Sequence, residues 1–180
     1  MKHRIILSVI AIALLTPSAW GQTHRVTRTP QNTQQSTKGN TMEDYTLGYR
    51  LDEGLNPVEN SKGRWGYVDK NGREVLPFKW LSAGGFSEGL AEVQDTKEYW
   101  GYIDTTGKLV IPCKWYGAYP FSEGLAVVEN ADGFGFIDKT GKLVIPCKWK
   151  FAKSFSEGLA AVEDDNGKLH KINKQGEIVE

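Results

Sequence analysis

Three histidines, two cysteines and two methionines are all that 180 residues hold of those types. Two cysteines cannot staple a disulfide-dense scaffold, and no Cys-x-x-Cys, His-x-x-x-His or paired His cluster offers a zinc site. Long apolar runs are scarce too. The longest, Ile5–Leu15, is eleven residues broken only by Ser8, well short of the ~20 a membrane helix needs. Net charge is zero, with 22 basic and 22 acidic residues. A polycation that coats nucleic acid is thereby excluded, and no nucleic-acid partner is expected.

What is present begins with an export pattern. Lys2 and Arg4 precede the apolar run, Pro17 breaks it, and Ala19-Trp20-Gly21 offers small residues for cleavage before Gln22. Residues 1–21 are therefore expected to be a signal peptide, leaving no membrane span and placing the mature chain in the periplasm or outside the cell. No cysteine near the cleavage point supports a lipid anchor. Residues 22–44 are polar and poor in large apolar side chains, which predicts a flexible tether.

A repeat governs the segment 45–180. Phe86-Ser-Glu-Gly-Leu-Ala91 returns at 121–126 and 155–160, with a weaker copy, Leu51-Asp-Glu-Gly-Leu55, upstream. Leu76-Pro-Phe-Lys-Trp80 returns at 111–115 and 145–149. The period of 34 to 35 residues divides the chain into units 51–85, 86–120 and 121–154, with a partial unit at 155–180. A fixed period of this size marks a solenoid, propeller or similar array.

Within a unit the pattern is β. Trp100-Gly-Tyr-Ile-Asp104 and Lys108-Leu-Val-Ile111 flank an Asp-x-x-Gly turn, which predicts a hairpin. The turn column reads Asp69…Gly72, Asp104…Gly107 and Asp138…Gly141, relaxing to Asn173…Gly176. Asn performs the same turn chemistry, so these carboxylates read as turn-formers rather than catalytic or metal-binding groups. Pro77, Pro112 and Pro146 mark strand ends or open edges. Trp, Ala and Phe then recur at three-residue spacing (Trp115, Ala118, Phe121), which suits one 3₁₀-like turn or a tight loop. A third strand starts at Leu90. The fold class expected is all-β: tandem three-stranded repeats in a short twisted solenoid-like array, with a small propeller as the alternative.

These motifs resemble the WG repeat, also called the KWG repeat, of bacterial proteins. The resemblance spans residues 51–180. It is carried by Trp65-Gly66, Trp100-Gly101 and Phe134-Gly135, by the aliphatic-Pro segment and by the Phe-Ser-Glu-Gly-Leu-Ala run. Phe134 departs from the pattern, as does Leu169-His170 in the last unit, which also lacks Pro-x-Lys-Trp and so resembles a cap. The resemblance implies bacterial origin, an all-β array that is often exported or membrane-attached, and no shared enzymatic activity or catalytic residue.

No constellation of residues argues for catalysis. His3 lies in the leader and His24 in the tether, so any triad would need His170, which occupies the Gly column of the last unit. Asp164-Asp-Asn-Gly167 lacks the ligand spacing of a calcium loop and reads as a turn. Cys113 and Cys147 occupy one column in successive units, where Phe78 stands in the first. Export allows a disulfide, while the Phe favours buried thiols. A non-enzymatic role without cofactors is expected.

Two columns suit a partner surface. Lys79, Lys114 and Lys148 should project outward as a ladder of positive charge, and Glu53, Glu88, Glu123 and Glu157 should sit at the tips of the Ser-Glu-Gly turns. Repetition lets such rows meet a protein or an extended envelope polymer. The alternative is that the Lys protects exposed strand edges while the Glu pairs with it or caps a turn. Exposed aromatics suit a carbohydrate or peptidoglycan ligand, although Trp115 alternates in phase with Ile111 and Cys113, which favours the core.

Overall fold

The structure, a computed structural model, describes the backbone at residues 46–47 and the whole of residues 54–179. The expected leader, the tether and Glu53 lie outside the described residues.

Four small antiparallel sheets follow one another along the chain, each a meander of consecutive strands. The first holds β1 (Thr46–Leu47), β2 (Asn56–Glu59), β3 (Trp65–Val68) and β4 (Glu74–Trp80). The second holds β5 (Ser82–Ala83), β6 (Leu90–Gln94), β7 (Trp100–Asp104) and β8 (Leu109–Trp115). The third holds β9 (Gly117–Ala118), β10 (Leu125–Asn130), β11 (Gly133–Asp138) and β12 (Leu143–Trp149). The last has three strands, β13 (Phe151–Ala152), β14 (Ala160–Glu163) and β15 (Leu169–Ile172).

Two features differ from the sequence reading. The Trp-x-x-Ala-x-x-Phe spacing makes no helical turn. Ala83 instead sits in a two-residue strand paired with Val93, and Phe86 turns into the core beyond it. Each full sheet thereby gains a fourth short strand. The sheets also begin four residues before the Phe-Ser-Glu-Gly run, at Ser82, Gly117 and Phe151.

Apolar packing lies between successive sheets. Tyr67, Leu76 and Trp80 of the first meet Phe86, Ala91, Val93 and Ile103 of the second. Leu90, Tyr102, Ile111 and Trp115 meet Phe121, Ala126, Val128 and Ile137 in the same way. Leu125, Phe136, Ile145 and Trp149 meet Phe155, Val162 and Ile172. No core cluster among the described residues joins the first sheet to the last, so the array is an open row rather than a closed barrel. The inner sheets are covered on both faces, which is why β10 opens with four consecutive buried residues.

Turn chemistry is uniform. Asp104 Oδ1 accepts the N–H groups of Thr106 at 2.9 Å and Lys108 at 3.0 Å. Asp69, Asp138 and Asn173 do the same in their own turns. The neighbouring Thr hydroxyl, with these N–H groups, holds the Asp104 and Asp138 carboxyls below their ordinary range, and the Arg73 and Asn71 N–H groups hold Asp69 so.

Candidate interaction surface

The Trp-Gly pair and the aliphatic-Pro-x-Lys-Trp segment are two halves of one contact. Trp100 pairs with Trp115 and Tyr102 with Ile111, so three residues of β8 lie opposite Gly101 alone. The resulting bulge presses β8 onto the glycine. A Cβ there would stand 2.5 Å from the Ile111 carbonyl oxygen and 2.9 Å from Cys113 Sγ. Gly66 meets Phe78 and Gly135 meets Cys147 in the same way. Pro112, with no N–H to leave unpaired, is suited to the bulge. In the last sheet no such edge strand presses on the Gly column among the described residues, and His170 is accommodated, its Nε2 3.0 Å from Asp164 Oδ2.

Glu88 and Glu123 are taken up by the array itself. Both occupy left-handed backbone, at φ 54°, followed by Gly89 and Gly124 at 85° and 86°. This is the geometry of a type I′ turn, in which a non-Gly, non-Asn residue costs about 1 kcal/mol. The Glu88 carboxylate accepts the Gly124 N–H at 3.1 Å and lies 3.1 Å from Lys139 Nζ, which also donates to the Glu88 carbonyl. Glu123 repeats every contact with Gly158 and Lys174. Ser87 and Ser122 hydroxyls donate to the carbonyls of Phe121 and Phe155 beside them. Each turn therefore clasps the next repeat. Glu157 keeps the conformation, at φ 55°, but its carboxylate has no such clasp among the described residues.

No ion pair to a carboxylate holds the Lys column among the described residues. Lys79, Lys114 and Lys148 are exposed, each ammonium lying 4.7, 4.8 or 4.7 Å over the ring of the Trp that follows it. Those rings, Trp80, Trp115 and Trp149, are buried in the cores, while Trp65 and Trp100 are half-buried against them. Along β4, β8 and β12 the outward residues are Val-Pro-Lys and the inward ones aliphatic, Phe or Cys, and Trp. Three equivalent exposed rows result: Val75-Pro77-Lys79, Val110-Pro112-Lys114 and Val144-Pro146-Lys148. Exposed Leu109 and Leu143 extend two of them. The apolar part of these rows carried no periodic helix or strand signal of its own; only its recurrence at the repeat period could have singled it out.

Cys113 and Cys147 are both free thiols. Burial, then Asp95, pushes Cys113 up to about 11, and burial with Asp132 raises Cys147. Both shifts favour the protonated thiol. No group of three or more His, Cys, Asp or Glu gathers to hold a metal ion among the described residues. No helix among them is long and apolar enough to cross a membrane.

The sequence profile described as WG containing repeat matches residues 65–99, 100–133 and 134–168, each match starting at the aromatic-Gly pair. The chain belongs to this family. In WG repeats of this chain, the signature dipeptide marks the point where an edge strand bulges onto the sheet. No curated protein is significantly similar in sequence. Among solved structures, the computationally designed Ika4 protein is similar at 11% identity and a TM-score of 0.47, over 68% of this chain and 87% of that one. BamB from Moraxella catarrhalis is similar at 17% identity and a TM-score of 0.47, over 73% and 47%. The WD40 beta propeller domain of Doa1 follows at 12% identity and 0.43, over 74% and 52%. The chain spans about half the length of the BamB and Doa1 structures it matches. These likenesses concern architecture alone.

Proposed function

We propose that this WG-repeat chain is an exported, non-enzymatic binding module that holds a protein partner or an envelope component. One observation carries the reading: the Val-Pro-Lys rows recur on three edge strands, exposed, apolar and basic together. A contiguous apolar surface rimmed by charge is what a soluble protein presents to a partner. Pro and Lys on the same edges discourage indiscriminate strand pairing, so contact through the rows favours a specific partner. Export is supported by the Lys2–Gly21 pattern.

The test places a photo-crosslinking residue at Val110 or Val144, and at Lys168, outside the rows, as a control. Row positions should trap one and the same partner in the producing cells, and Lys79, Lys114 and Lys148 changed together to Glu should abolish it. Equal trapping from Lys168, or none from the rows, overturns the reading. Mass spectrometry of the mature chain should find Gln22 at its N-terminus.

A second reading, carbohydrate binding, is favoured by Tyr99 and Tyr116. Their rings are exposed and 5.9 Å apart.

A further inference from the structure

Departures from the repeat gather in one place. The hairpin joining β6 to β7 turns through Asp95-Thr-Lys-Glu98, and Glu98 has φ 67°. The equivalent turns of the first and last units have Gly63 and Gly167, at 68° and 78°. A Glu in left-handed backbone is strained where glycine is not, and strain of this kind collects at functional sites. The conformation is held from below. Gln94 Nε2 donates to the Glu98 carbonyl at 2.9 Å. The other units carry Glu59, Glu129 and Glu163 in that column, and a carboxylate has no proton to donate there.

The strained turn borders a recess of about 450 Å³ lined by Asp95, Lys97, Tyr99, Cys113, Lys114 and Tyr116. Tyr99 is 37% and Tyr116 54% exposed, and their rings are inclined by 35°, forming one continuous aromatic floor. The first unit places Arg64 and Leu81 in these columns and the third Gly133 and Lys150. The aromatic pair, the neutral amide and the strained residue are therefore all particular to the second unit. Asp95 Oδ1 fixes the approach to the floor by accepting the N–H groups of Lys97 and Tyr99 at 2.9 and 3.1 Å.

Resting on the carbohydrate reading above, we propose that this recess binds an acidic oligosaccharide, one bearing uronic-acid-type carboxylates. The electron-rich faces of two tyrosines attract the C–H sides of successive sugar rings. Two ammonium groups, Lys97 and Lys114, meet the carboxylates, and Asp95 accepts from hydroxyls. A peptide fits less well. Pro112 and Lys114 obstruct strand addition along β8, and no aliphatic side chain among the six lining residues builds an anchoring hole.

Calorimetric titration of the full chain tests this with three probes: tetragalacturonate, cellotetraose and tetraglutamate. Tetragalacturonate should bind at least about tenfold tighter than either of the others, and more weakly as salt rises. Tyr99→Arg with Tyr116→Leu, which restores the first unit's residues and so preserves folding, should weaken it at least about tenfold. Lys97→Gln with Lys114→Gln should erase the preference for the acidic over the neutral sugar. Tyr119→Ala, outside the recess, should change nothing. Equal affinity for cellotetraose, equal affinity for tetraglutamate, or full binding by the tyrosine double variant overturns the proposal. A negative titration beside a positive crosslink from the Val-Pro-Lys rows removes this site and leaves the protein-binding module standing.

Discussion

Cys113 Sγ lies 2.9 Å from the point where a Cβ on Gly101 would stand. No L side chain fits between β7 and β8 at that point. Gly101→Ala is expected to cost roughly 3 kcal/mol through overpacking at a site where backbone must shift. Cys113→Ala in the same chain should recover only part of this, because the Ile111 carbonyl oxygen at 2.5 Å remains. Urea unfolding midpoints measure both.

Glu92 is 8% exposed, the one buried charged side chain among the described residues, and its Oε2 has no hydrogen-bond partner. It stands opposite Tyr102 where the next unit has Val127, and its carboxylate fills the space left by the missing Cβ of Gly84. Burial pushes it up to about 7 from 4.5, and its charge would face the buried Tyr67 and Tyr102. The folded chain thus keeps a proton that the unfolded chain releases near pH 4.5. Stability should fall as pH rises from 4.5 through 7, by about 3 kcal/mol in all, and then level off. Glu92→Gln should flatten that slope in urea titrations at pH 5 and 8; an unchanged slope would refute this origin.

Glu123 behaves in the opposite sense. The Lys174 ammonium, with the Gly158 and Glu157 N–H groups, holds its carboxyl below 4.5. Its clasp is complete above the ordinary carboxylate range and is lost as pH falls through the lowered value. Acid should therefore loosen the third and fourth sheets, seen as a smaller hydrogen-exchange protection factor at Gly158, relative to the intrinsic rate at each pH, once the pH falls through the lowered value. Glu123→Gln should show that reduced protection factor at neutral pH, while Lys174→Met should show an intermediate one.

Tyr102 donates to the Tyr119 carbonyl at 2.8 Å, and Tyr67 donates to the Gly84 carbonyl at 2.7 Å. The third unit has Phe136 in this column, packed on Phe155 as Tyr102 is on Phe121. The ring without its hydroxyl is thus known to fit. Tyr102→Phe should lower stability by about 1 kcal/mol, the worth of one hydrogen bond, with no change in fold. Thermal unfolding followed by near-ultraviolet circular dichroism would register a loss well above that if the ring had repacked.

The period, the Asp-x-x-Gly hairpins and the inward phase of Trp115 were legible in the sequence because they depend on neighbours a few residues apart. An Asx turn closes within five residues, and strand alternation is set by the pleat. The two-residue strands at Ser82, Gly117 and Phe151 were not legible, since apolar residues at three-residue spacing suit a helical turn equally well. Only pairing with β6, β10 and β14 selects the strand.

Sequence alone thus determined a β array of WG repeats and its turn residues, through local backbone chemistry repeated every 34 to 35 residues. Tertiary structure decided which repeated columns face outward. Glu88 looked as free as Lys114, yet its partners lie 36 and 51 residues away at Gly124 and Lys139. Separations of that size are fixed by how one sheet stacks on the next, and no local rule encodes them. Stacking tied Glu88 and Glu123 to the next repeat and left the Lys column, with its valines, in solvent.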